Sequence, residues 1–265
     1  MKKFGRLALI GVLILGLMAF SIGCGSTEKT TTGDADKAAK KILKVGSEAA
    51  YPPFEIQDKD GKFVGFDMDL IRAIAQAEGY EVEISNLPFT GLIPALKAGN
   101  VDAAISAMTI TDKRRESIDF SEPYIDSGQI ISMRSDDSRP LTKLEDLKGL
   151  TIAVQLGTTG EDQAKKVVAM DPKTTIKKYE SVNEAFLELK NKGADVAIVD
   201  QPVTLNYISK GHPEIKMVGK TFTDEKYGIA INKGNKEILD LINDGLKKVK
   251  ASGEYDRIYK KHIGG

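Results

Sequence analysis

The sequence is poor in the residue types that build metal sites and covalent cross-links. It has one cysteine, two histidines and no tryptophan in 265 residues. A single cysteine excludes an internal disulfide and a cluster of thiolate metal ligands. His212 and His262 have no other metal-ligating residues beside them, and neither a Ser/His/Asp set nor a phosphate-binding glycine loop stands out. We therefore expect no metal, no cofactor and no catalytic residue.

The sequence also lacks an excess of charge of either sign. It has 38 Lys and Arg residues against 38 Asp and Glu residues. Lys2, Lys3 and Arg6 lie in a segment that we expect to be removed, which leaves 35 basic and 38 acidic residues and a net charge of −3. A surface of this kind does not attract the phosphate backbone of nucleic acid. Nucleic acid is therefore not an expected partner.

Long hydrophobic runs are limited to one, residues 7–22. It follows three basic residues and ends at small residues, which is typical of a secretory signal peptide, here residues 1–23. Cys24 comes next in the run Ser21-Ile22-Gly23-Cys24, which resembles a bacterial lipobox except that Ser21 stands where Leu is usual. The pattern favours lipidation of Cys24 and anchoring to the cell membrane, outside the cytoplasm. The alternative is an ordinary signal peptide, an unmodified thiol and a periplasmic protein.

Residues 24–41 are small and polar, without periodic apolar residues, and they predict a flexible tether. After the tether, the hydrophobic pattern predicts two successive β-α-β-α-β units, which favour sheets of mostly parallel strands with helices on their faces. We predict one lobe from residues 42–125 plus 226–265 and a second from residues 126–225. The chain would cross between them near residues 124–128 and 222–226, which would form a hinge.

The individual elements are predicted from apolar periodicity and from helix start and stop signals. In the first unit they are strand 42–46, a helix capped by Asp67, strand 80–84, a helix from Thr90 and strand 101–108; in the second they are strand 151–155, helix 161–170, strand 174–179, a helix opened by a Ser181/Glu184 capping box and strand 194–199. Residues 96–105 resemble residues 189–198, since each reads as a helix end, a glycine stop and a buried strand.

The stretch that follows the first of these matched strands holds a candidate anion site. Arg114 lies in or near the first turn of a predicted helix, where free N–H groups and the helix dipole already make the surroundings electropositive. Together with the Thr109 and Thr111 hydroxyls, it suits a carboxylate or phosphate from outside the chain. The alternative is a solvated cation that pairs with Glu116 or Asp119.

The second matched strand leads into Asp200. Ligands of open α/β sheets bind beyond the carboxyl ends of the strands, so Arg114 and Asp200 would face a common site from two lobes. A cation and an anion in opposition suit a zwitterion. The alternative role for Asp200 is to cap the helix that begins near Pro202.

Seven runs carry a resemblance to a known family. They are AAYPPFE (49–55), VGFDMDL (64–70), FTGLIPAL (89–96), VDAAIS with TIT and an arginine (101–114), IDFSEPY (118–124), GTT (157–159) and YGIAI (227–231). With them the chain resembles the polar-amino-acid-binding subunits of bacterial ABC importers, the periplasmic-type solute-binding proteins of family 3. The resemblance implies a two-lobed periplasmic-binding-protein-like fold of type II, an amino-acid ligand, a membrane permease as partner, and, we expect, a monomer.

The resemblance also implies roles for single residues. Arg114 would hold the ligand carboxylate, together with the backbone N–H groups of Thr109 and Thr159. Asp200 would hold the ammonium group, helped by the Thr109 hydroxyl and the carbonyl of Ala107. The remaining roles concern the ligand side chain: Tyr51 and Phe89 would form aromatic walls, which otherwise read as core residues, and Glu48 would contact its distal end, although Glu48 also reads as a solvent-facing carboxylate.

Two positions depart from the pattern of glutamine-selective members. Gln155 stands where Lys is usual and Val199 where His is usual. Loss of two potential cations beside the acidic Glu48 favours an amide or a cationic side chain over glutamate. Glutamine and arginine are therefore the leading candidates.

Two other functions remain open from the sequence. Cyclohexadienyl dehydratases resemble this fold and use an added carboxylic acid in the cleft, but Thr204 lies where such an acid is sought. The ligand-sensing core of a receptor would need a downstream membrane span, and none is expected before Gly265.

Overall fold

The fold is described by a computed structural model over residues 41–264. The predicted signal peptide, Cys24 and the tether as far as residue 40 lie outside these residues. The strands are β1 Lys41–Ser47, β2 Ala50–Tyr51, β3 Glu55–Gln57, β4 Phe63–Val64, β5 Tyr80–Asn86, β6 Ala103–Ala104, β7 Ile118–Phe120, β8 Ile125–Ser127, β9 Gln129–Arg134, β10 Thr151–Gln155, β11 Thr175–Tyr179, β12 Val196–Asp200, β13 Ile215–Val218, β14 Glu225–Tyr227 and β15 Ala230–Asn232. The helices are α1 Phe66–Ala77, α2 Phe89–Lys97, α3 Asp112–Arg115, α4 Thr159–Met170, α5 Val182–Lys190, α6 Gln201–Ser209, α7 Lys236–Ala251 and α8 Glu254–His262, with a 3-10 turn at Leu144–Leu147.

The first five-stranded sheet has the order β5-β1-β6-β15-β7. β5, β1 and β6 are parallel, because α1 and α2 return the chain to the same end of the sheet. β15 is antiparallel to both of its neighbours, β6 and β7. Four strands therefore share one direction. We call this sheet, with α1, α2, α7 and α8 packed on it, lobe 1.

The second sheet repeats this arrangement with the order β11-β10-β12-β9-β13. β11, β10 and β12 are parallel, and β9 is antiparallel to both β12 and β13. Four of its five strands again share one direction. We call this sheet, with α4, α5 and α6, lobe 2. The result is a mixed α/β fold with two lobes, as the sequence predicted.

A two-stranded sheet joins the lobes. β8 carries the chain from β7 of lobe 1 to β9 of lobe 2, and β14 carries it back from β13 to β15. The two strands pair antiparallel, with Glu225 opposite Ser127 and Tyr227 opposite Ile125. Both connections between the lobes therefore lie side by side. β1 begins at Lys41, so the last residue assigned to the tether belongs to the folded body.

Asp67 does not cap α1, contrary to the prediction. α1 begins at Phe66, and Gly65 precedes it with φ +133°, where a Cβ would lie 2.1 Å from the carbonyl oxygen of Phe54. Asp67 is instead fully buried, and its Oδ2 accepts from the backbone N–H of Ala107 and from the Tyr124 hydroxyl, both at 2.8 Å. Its role is to hold a loop of lobe 1 in place.

The predicted strand over 101–108 is also too long, since only Ala103–Ala104 is strand. The reason lies at Ala107, which has φ +45° and donates its N–H to Asp67 rather than to a neighbouring strand. The chain therefore leaves the sheet early. This turn directs the next residues toward lobe 2.

Buried apolar residues fill both faces of each sheet. One cluster lies under α2 and a second under α4, and a third passes from the α1 and α7 face of lobe 1 into the α5 face of lobe 2. The helix α7 shows the pattern clearly, because Ile242, Leu246 and Val249 are buried at helical spacing. Within residues 41–264, no helix has the length and apolar character needed to cross a membrane.

Candidate ligand-binding site

A cavity lies between the two lobes, and its empty space, counted with the solvent at its opening, is about 280 Å³. It is lined by Glu48, Tyr51, Phe89, Ser106, Ala107, Thr109, Arg114, Gln155, Thr158, Thr159 and Asp200. All nine residues singled out in the sequence are in this set, and Ser106 and Thr158 are additional. They follow the carboxyl ends of strands, as ligand-binding residues of open α/β sheets do.

Arg114 presents its guanidinium to the cavity from lobe 1. The Thr111 hydroxyl accepts from the backbone N–H of Arg114 and so caps the short α3. The guanidinium donates through Nη1 to the Thr109 carbonyl at 2.6 Å and through Nη2 to the Gly157 carbonyl of lobe 2 at 3.0 Å. Its carbon atom also lies 5.3 Å from the centre of the Phe89 ring. These contacts fix its plane and leave further N–H groups available for a ligand.

The alternative of a solvated Arg114 paired with a neighbouring acid does not describe this arrangement. The near acid Asp119 pairs with Lys233, at 2.8 Å between Oδ1 and Nζ. Burial lowers the pKa of Arg114, while the negative charges of Glu225, Asp162 and Asp200 act in the opposite direction. A guanidinium keeps its proton under such conditions, so the group remains a cation.

Asp200 faces the same cavity from lobe 2. It is the last residue of β12 and precedes α6, but its side chain makes no capping hydrogen bond to that helix. The carboxylate instead accepts from the Tyr51 hydroxyl of lobe 1 and from Nε2 of Gln129 at 2.6 Å. The Ser127 hydroxyl lies at 3.5 Å. Asp200 is therefore oriented toward the cavity rather than toward the helix.

Burial is the main reason why the pKa of Asp200 is raised to about 7. The negative charge of Glu225 adds to this effect, and hydrogen bonds from Tyr51 and Tyr227, with the charge of Arg114, oppose it. A cation close to Asp200 would favour its ionised form. The site is thus prepared for a positively charged group.

Glu48 and Gln155 line the cavity and are hydrogen-bonded to each other rather than to the partners of Asp200. Gln155 Nε2 donates to Glu48 Oε2 at 3.3 Å and to the carbonyl of Glu180 at 3.0 Å. Glu48 is buried rather than solvent-facing, and burial, with the charge of Glu184, raises its pKa to about 7 despite the bond from Gln155. Val199 is buried and is not among the lining residues. This part of the cavity has acidic and amide character.

Tyr51 and Phe89 combine two roles that the sequence left as alternatives. Both line the cavity, and both also pack against buried apolar clusters. The Tyr51 ring is 6% exposed, and its hydroxyl reaches Asp200 across the lobes. Each ring is therefore a wall of the cavity that the core holds rigidly.

Gln129 and Glu225 were not identified from the sequence. Gln129 Nε2 donates to Asp200 and, at 3.1 Å, to the Thr159 hydroxyl. Glu225 accepts from the hydroxyls of Thr109 at 2.8 Å and Thr159 at 2.9 Å. The available signal was a polar residue at or beside each predicted crossing between lobes: Glu225 lies within 222–226, and Gln129 directly follows 124–128. The burial of Gln129 and Glu225 depends on chain segments that are far apart in sequence, and no local pattern encodes it.

The family is decided by a match over residues 43–265 to the model of the bacterial extracellular solute-binding proteins, family 3. The chain belongs to this family. A probable histidine-binding protein of Neisseria gonorrhoeae is 36% identical to this solute-binding protein, over 99% of this chain and 96% of the relative. Within residues 41–264, no group of three or more His, Cys, Asp or Glu residues is arranged to hold a metal ion.

Solved structures of two proteins are similar over most of the described residues. An ancestral arginine-binding protein, solved with arginine and with glutamine bound, is 44% identical with a TM-score of 0.80; the match covers 84% and 86% of this chain and 99% and 100% of those chains. An ancestral amino-acid-binding protein that is a precursor of cyclohexadienyl dehydratase is 41% identical with a TM-score of 0.77, over 84% of this chain and 95% of that one. The solute-binding protein is thus an extracytoplasmic, amino-acid-binding component of ABC transport.

Proposed function

We propose that this protein binds one L-amino acid with an amide or cationic side chain, glutamine or arginine foremost, and delivers it unchanged to a membrane permease. The observation that carries the proposal is the pair of opposite charges, Arg114 from lobe 1 and Asp200 from lobe 2, on one cavity. Charge-assisted hydrogen bonds contribute about 1.5–3 kcal/mol each. A few of them supply the roughly 8 kcal/mol of micromolar binding after the costs of ordering.

The two ends of an amino acid match the two charged groups. Arg114, with the backbone N–H groups of Thr109 and Thr159, binds the α-carboxylate. Asp200 binds the α-ammonium, together with the Thr109 hydroxyl and the Ala107 carbonyl. All five of these residues line the cavity.

The choice of side chain rests on Glu48. It lines the cavity beside Gln155, and the charge of Glu184 acts on it. An amide donates a hydrogen bond to Glu48 and a guanidinium forms an ion pair with it, whereas a glutamate side chain meets like charge. The relatives whose names specify histidine and arginine support this choice, as does the ancestral arginine-binding protein solved with glutamine.

Binding is coupled to closure of the lobes, residues 42–125 plus 226–265 and residues 126–225, about the β8–β14 pair. A ligand that contacts both lobes favours the closed arrangement, and one that contacts a single lobe shifts nothing. The permease then recognises the closed form. Lipidation of Cys24 keeps the protein, a monomer, at the membrane surface; without it, the protein is free in the periplasm.

Calorimetric titration of the protein lacking residues 1–24 with the twenty amino acids tests the proposal. Glutamine or arginine should bind with the highest affinity, and Arg114→Ala should remove binding while the unfolding midpoint changes little. Tight binding of glutamate without a response to glutamine or arginine would overturn the assignment of the side chain. No response to any amino acid would overturn the function.

A dehydratase is the second candidate, because a structural relative is a precursor of cyclohexadienyl dehydratase. Thr204 is fully buried against Ser132, at 3.3 Å between hydroxyls, and does not line the cavity. Glu48 and Asp200 are the carboxyl groups on the lining. Incubation with prephenate or arogenate decides between the candidates, since turnover would replace the transport function.

A further inference from the structure

Glu225 is a buried carboxylate in the connection between the lobes. It begins β14, which pairs with β8, and 6% of its surface is exposed. Glu225 does not line the cavity. Thr109 and Thr159 do line it, and the hydroxyl of each donates a hydrogen bond to Glu225. Its carboxylate thus lies behind the cavity wall.

One carboxylate oxygen of Glu225 accepts hydrogen bonds from both lobes. Oε2 accepts from the Thr109 hydroxyl of lobe 1 at 2.8 Å and from the Thr159 hydroxyl of lobe 2 at 2.9 Å, with Gln129 Nε2 at 3.4 Å. Oε1 accepts from the Thr223 hydroxyl at 2.9 Å. Because the two cavity threonines belong to different lobes, they can share a single oxygen atom when the lobes are as close as they are here.

The contact also fixes the direction of the two hydroxyl groups. A threonine hydroxyl has one proton and two lone pairs. Glu225 accepts the one hydrogen bond that each hydroxyl can donate, and one lone pair of Thr159 accepts from Gln129 Nε2 at 3.1 Å. The other lone pairs and the backbone N–H groups of Thr109 and Thr159 remain for further partners. A bond from a hydroxyl to a carboxylate is stronger than one between neutral groups, so this orientation is held firmly.

We propose that Glu225 is a positioning residue that stabilises the closed arrangement of the lobes and orients the Thr109 and Thr159 hydroxyls for the ligand. It acts through the two threonines and does not contact the ligand. The inference rests on the proposed function, because it concerns the residence of an amino acid between closed lobes. Loss of Glu225 therefore accelerates ligand release and lowers the closed fraction.

Two substitutions separate the hydrogen bonds of Glu225 from its charge. Glu225→Gln keeps a carbonyl oxygen that accepts from both cavity threonines and places the amide toward Thr223, whose hydroxyl can accept. Glu225→Ala removes both functions. Asp224→Ala is the matched control, because Asp224 is the adjacent acid and is exposed. Each variant is made in the protein lacking residues 1–24 and titrated separately with L-arginine and L-glutamine.

The experiment measures the dissociation rate of the ligand and the closure of the lobes. The chain from residue 25 has no cysteine, so Lys59→Cys in lobe 1 and Lys173→Cys in lobe 2, both exposed, allow a pair of fluorophores to report closure by energy transfer. We expect Glu225→Ala to raise the dissociation rate at least tenfold and to lower the closed fraction. Glu225→Gln should stay within about threefold of wild type, and Asp224→Ala should leave both quantities unchanged.

A second pair of variants approaches the same contact from lobe 2. Thr159→Val removes the hydroxyl and Thr159→Ser keeps it, so the inference holds if serine retains the slow dissociation and valine loses it. In the Glu225→Ala background, Thr159→Val should cause little additional loss, because residues that act as one unit are not additive. This pair also gives an answer if Glu225→Ala does not fold.

The outcomes distinguish the inference from the proposed function. Equal dissociation rates and closure for Glu225→Ala and Asp224→Ala, with wild type binding normally, would overturn the role of Glu225 alone. Equal losses in Glu225→Gln and Glu225→Ala would assign the effect to charge and overturn the positioning role. If wild type bound neither amino acid, the proposed function would fail, and this inference with it.

Discussion

The two lobes share one scaffold but differ in what they present to the cavity. Asp102 of lobe 1 and Asp195 of lobe 2 are equivalent in the sequence repeat, and they make the same contacts with the backbone. The side chain of Asp102 accepts from the backbone N–H of Lys44 and that of Asp195 from the N–H of Thr151, both at 2.8 Å. In both lobes the aspartate N–H also donates to the carbonyl of that same partner at 2.8 Å. The repeated sequence therefore encodes a repeated strand connection.

The lobes diverge just beyond the equivalent strands. After β6, lobe 1 turns at Ala107 and reaches Arg114, whereas β12 of lobe 2 ends at Asp200. The same scaffold thus delivers a cation from one side and an anion from the other. Strand packing and the charges of the cavity are therefore specified separately, the first by the buried strands and the second by the segments after them.

The strongest test of this division removes one charge from each lobe. Arg114→Ala and Asp200→Ala should each weaken amino-acid binding by at least about a hundredfold, which is about 2.7 kcal/mol. The reason is that each substitution leaves the opposite charge of the ligand unpaired in a buried site. Calorimetry measures the affinities, and thermal unfolding checks the fold. If either charge proved dispensable, one lobe alone would bind the ligand.

The second test uses pH. Asp200 and Glu48 have pKa values raised to about 7, mainly by burial. A ligand ammonium favours ionised Asp200, so binding should release a proton. Below pH 7, affinity should therefore increase by up to tenfold for each unit by which the pH is raised. The affinity for arginine should rise more steeply than that for glutamine, because the ligand guanidinium also favours the ionised form of Glu48. Calorimetry from pH 5.5 to 8.5, in buffers with different ionisation enthalpies, counts the protons.

Asp200→Asn tests the raised pKa of Asp200 through the pH dependence of stability. A carboxyl group whose pKa is higher in the folded state stabilises the fold below its unfolded pKa, near 4, and that contribution is lost as pH rises through about 7. The unfolding free energy of wild type, relative to Asp200→Asn, should therefore fall between pH 4 and pH 7. An affinity for glutamine that did not vary with pH in wild type would contradict the assignment of Asp200 to the ammonium.

A third test concerns the contact between lobes. Gly157 of lobe 2 has φ +77°, and a Cβ there would lie 2.9 Å from the methyl group of Thr90 in lobe 1. Gly157→Ala should weaken binding about tenfold, since it strains the backbone by about 1–2 kcal/mol and holds the lobes apart. Gly79, also at φ +77° but with no atom within 4 Å, is the matched control.

Gly79→Ala should lower the unfolding midpoint without an effect on affinity. Adding Thr90→Ser to Gly157→Ala should restore part of the lost affinity, because serine lacks the methyl group in question. If Gly157→Ala behaved like Gly79→Ala, backbone strain alone would explain its effect and closure would not depend on this contact.

The smallest effect concerns a difference within the repeat. Gly99 of lobe 1 has φ +71°, and its equivalent in lobe 2 is Lys192 at φ +64°. Lys192→Gly should raise the free energy of unfolding by about 0.5–1 kcal/mol, because a side chain is strained in this conformation. Gly99→Ala should lower it by a similar amount. Urea denaturation measures both changes. Lys192→Gly also removes the ion pair with Asp136, but that pair is exposed and 3.6 Å long, so its loss should cost little. A destabilised Lys192→Gly variant would therefore contradict the explanation.

Much of the fold was predictable because its signals are local. Strand β10 has the predicted bounds, and the Ser181/Glu184 capping box is present at α5. The errors arose where a distant residue overrides the local pattern. Asp67 resembles a helix cap, yet it is buried beneath Ala107, and Gly193 resembles the helix stop although Lys192 takes the left-handed position. Neither outcome follows from the neighbouring sequence.

Local spacing is sufficient to predict the alternation of buried strands and helices, the repeat of one unit, and the types of charged residue that follow the strands, because these depend on intervals of a few residues. Tertiary structure alone decided that Gln129 lies beside Asp200 and that Glu225 joins Thr109 to Thr159. It also decided the raised pKa values of the cavity acids. The physical reason is that burial and the distances between charges are set by segments that meet only when the two lobes pack together.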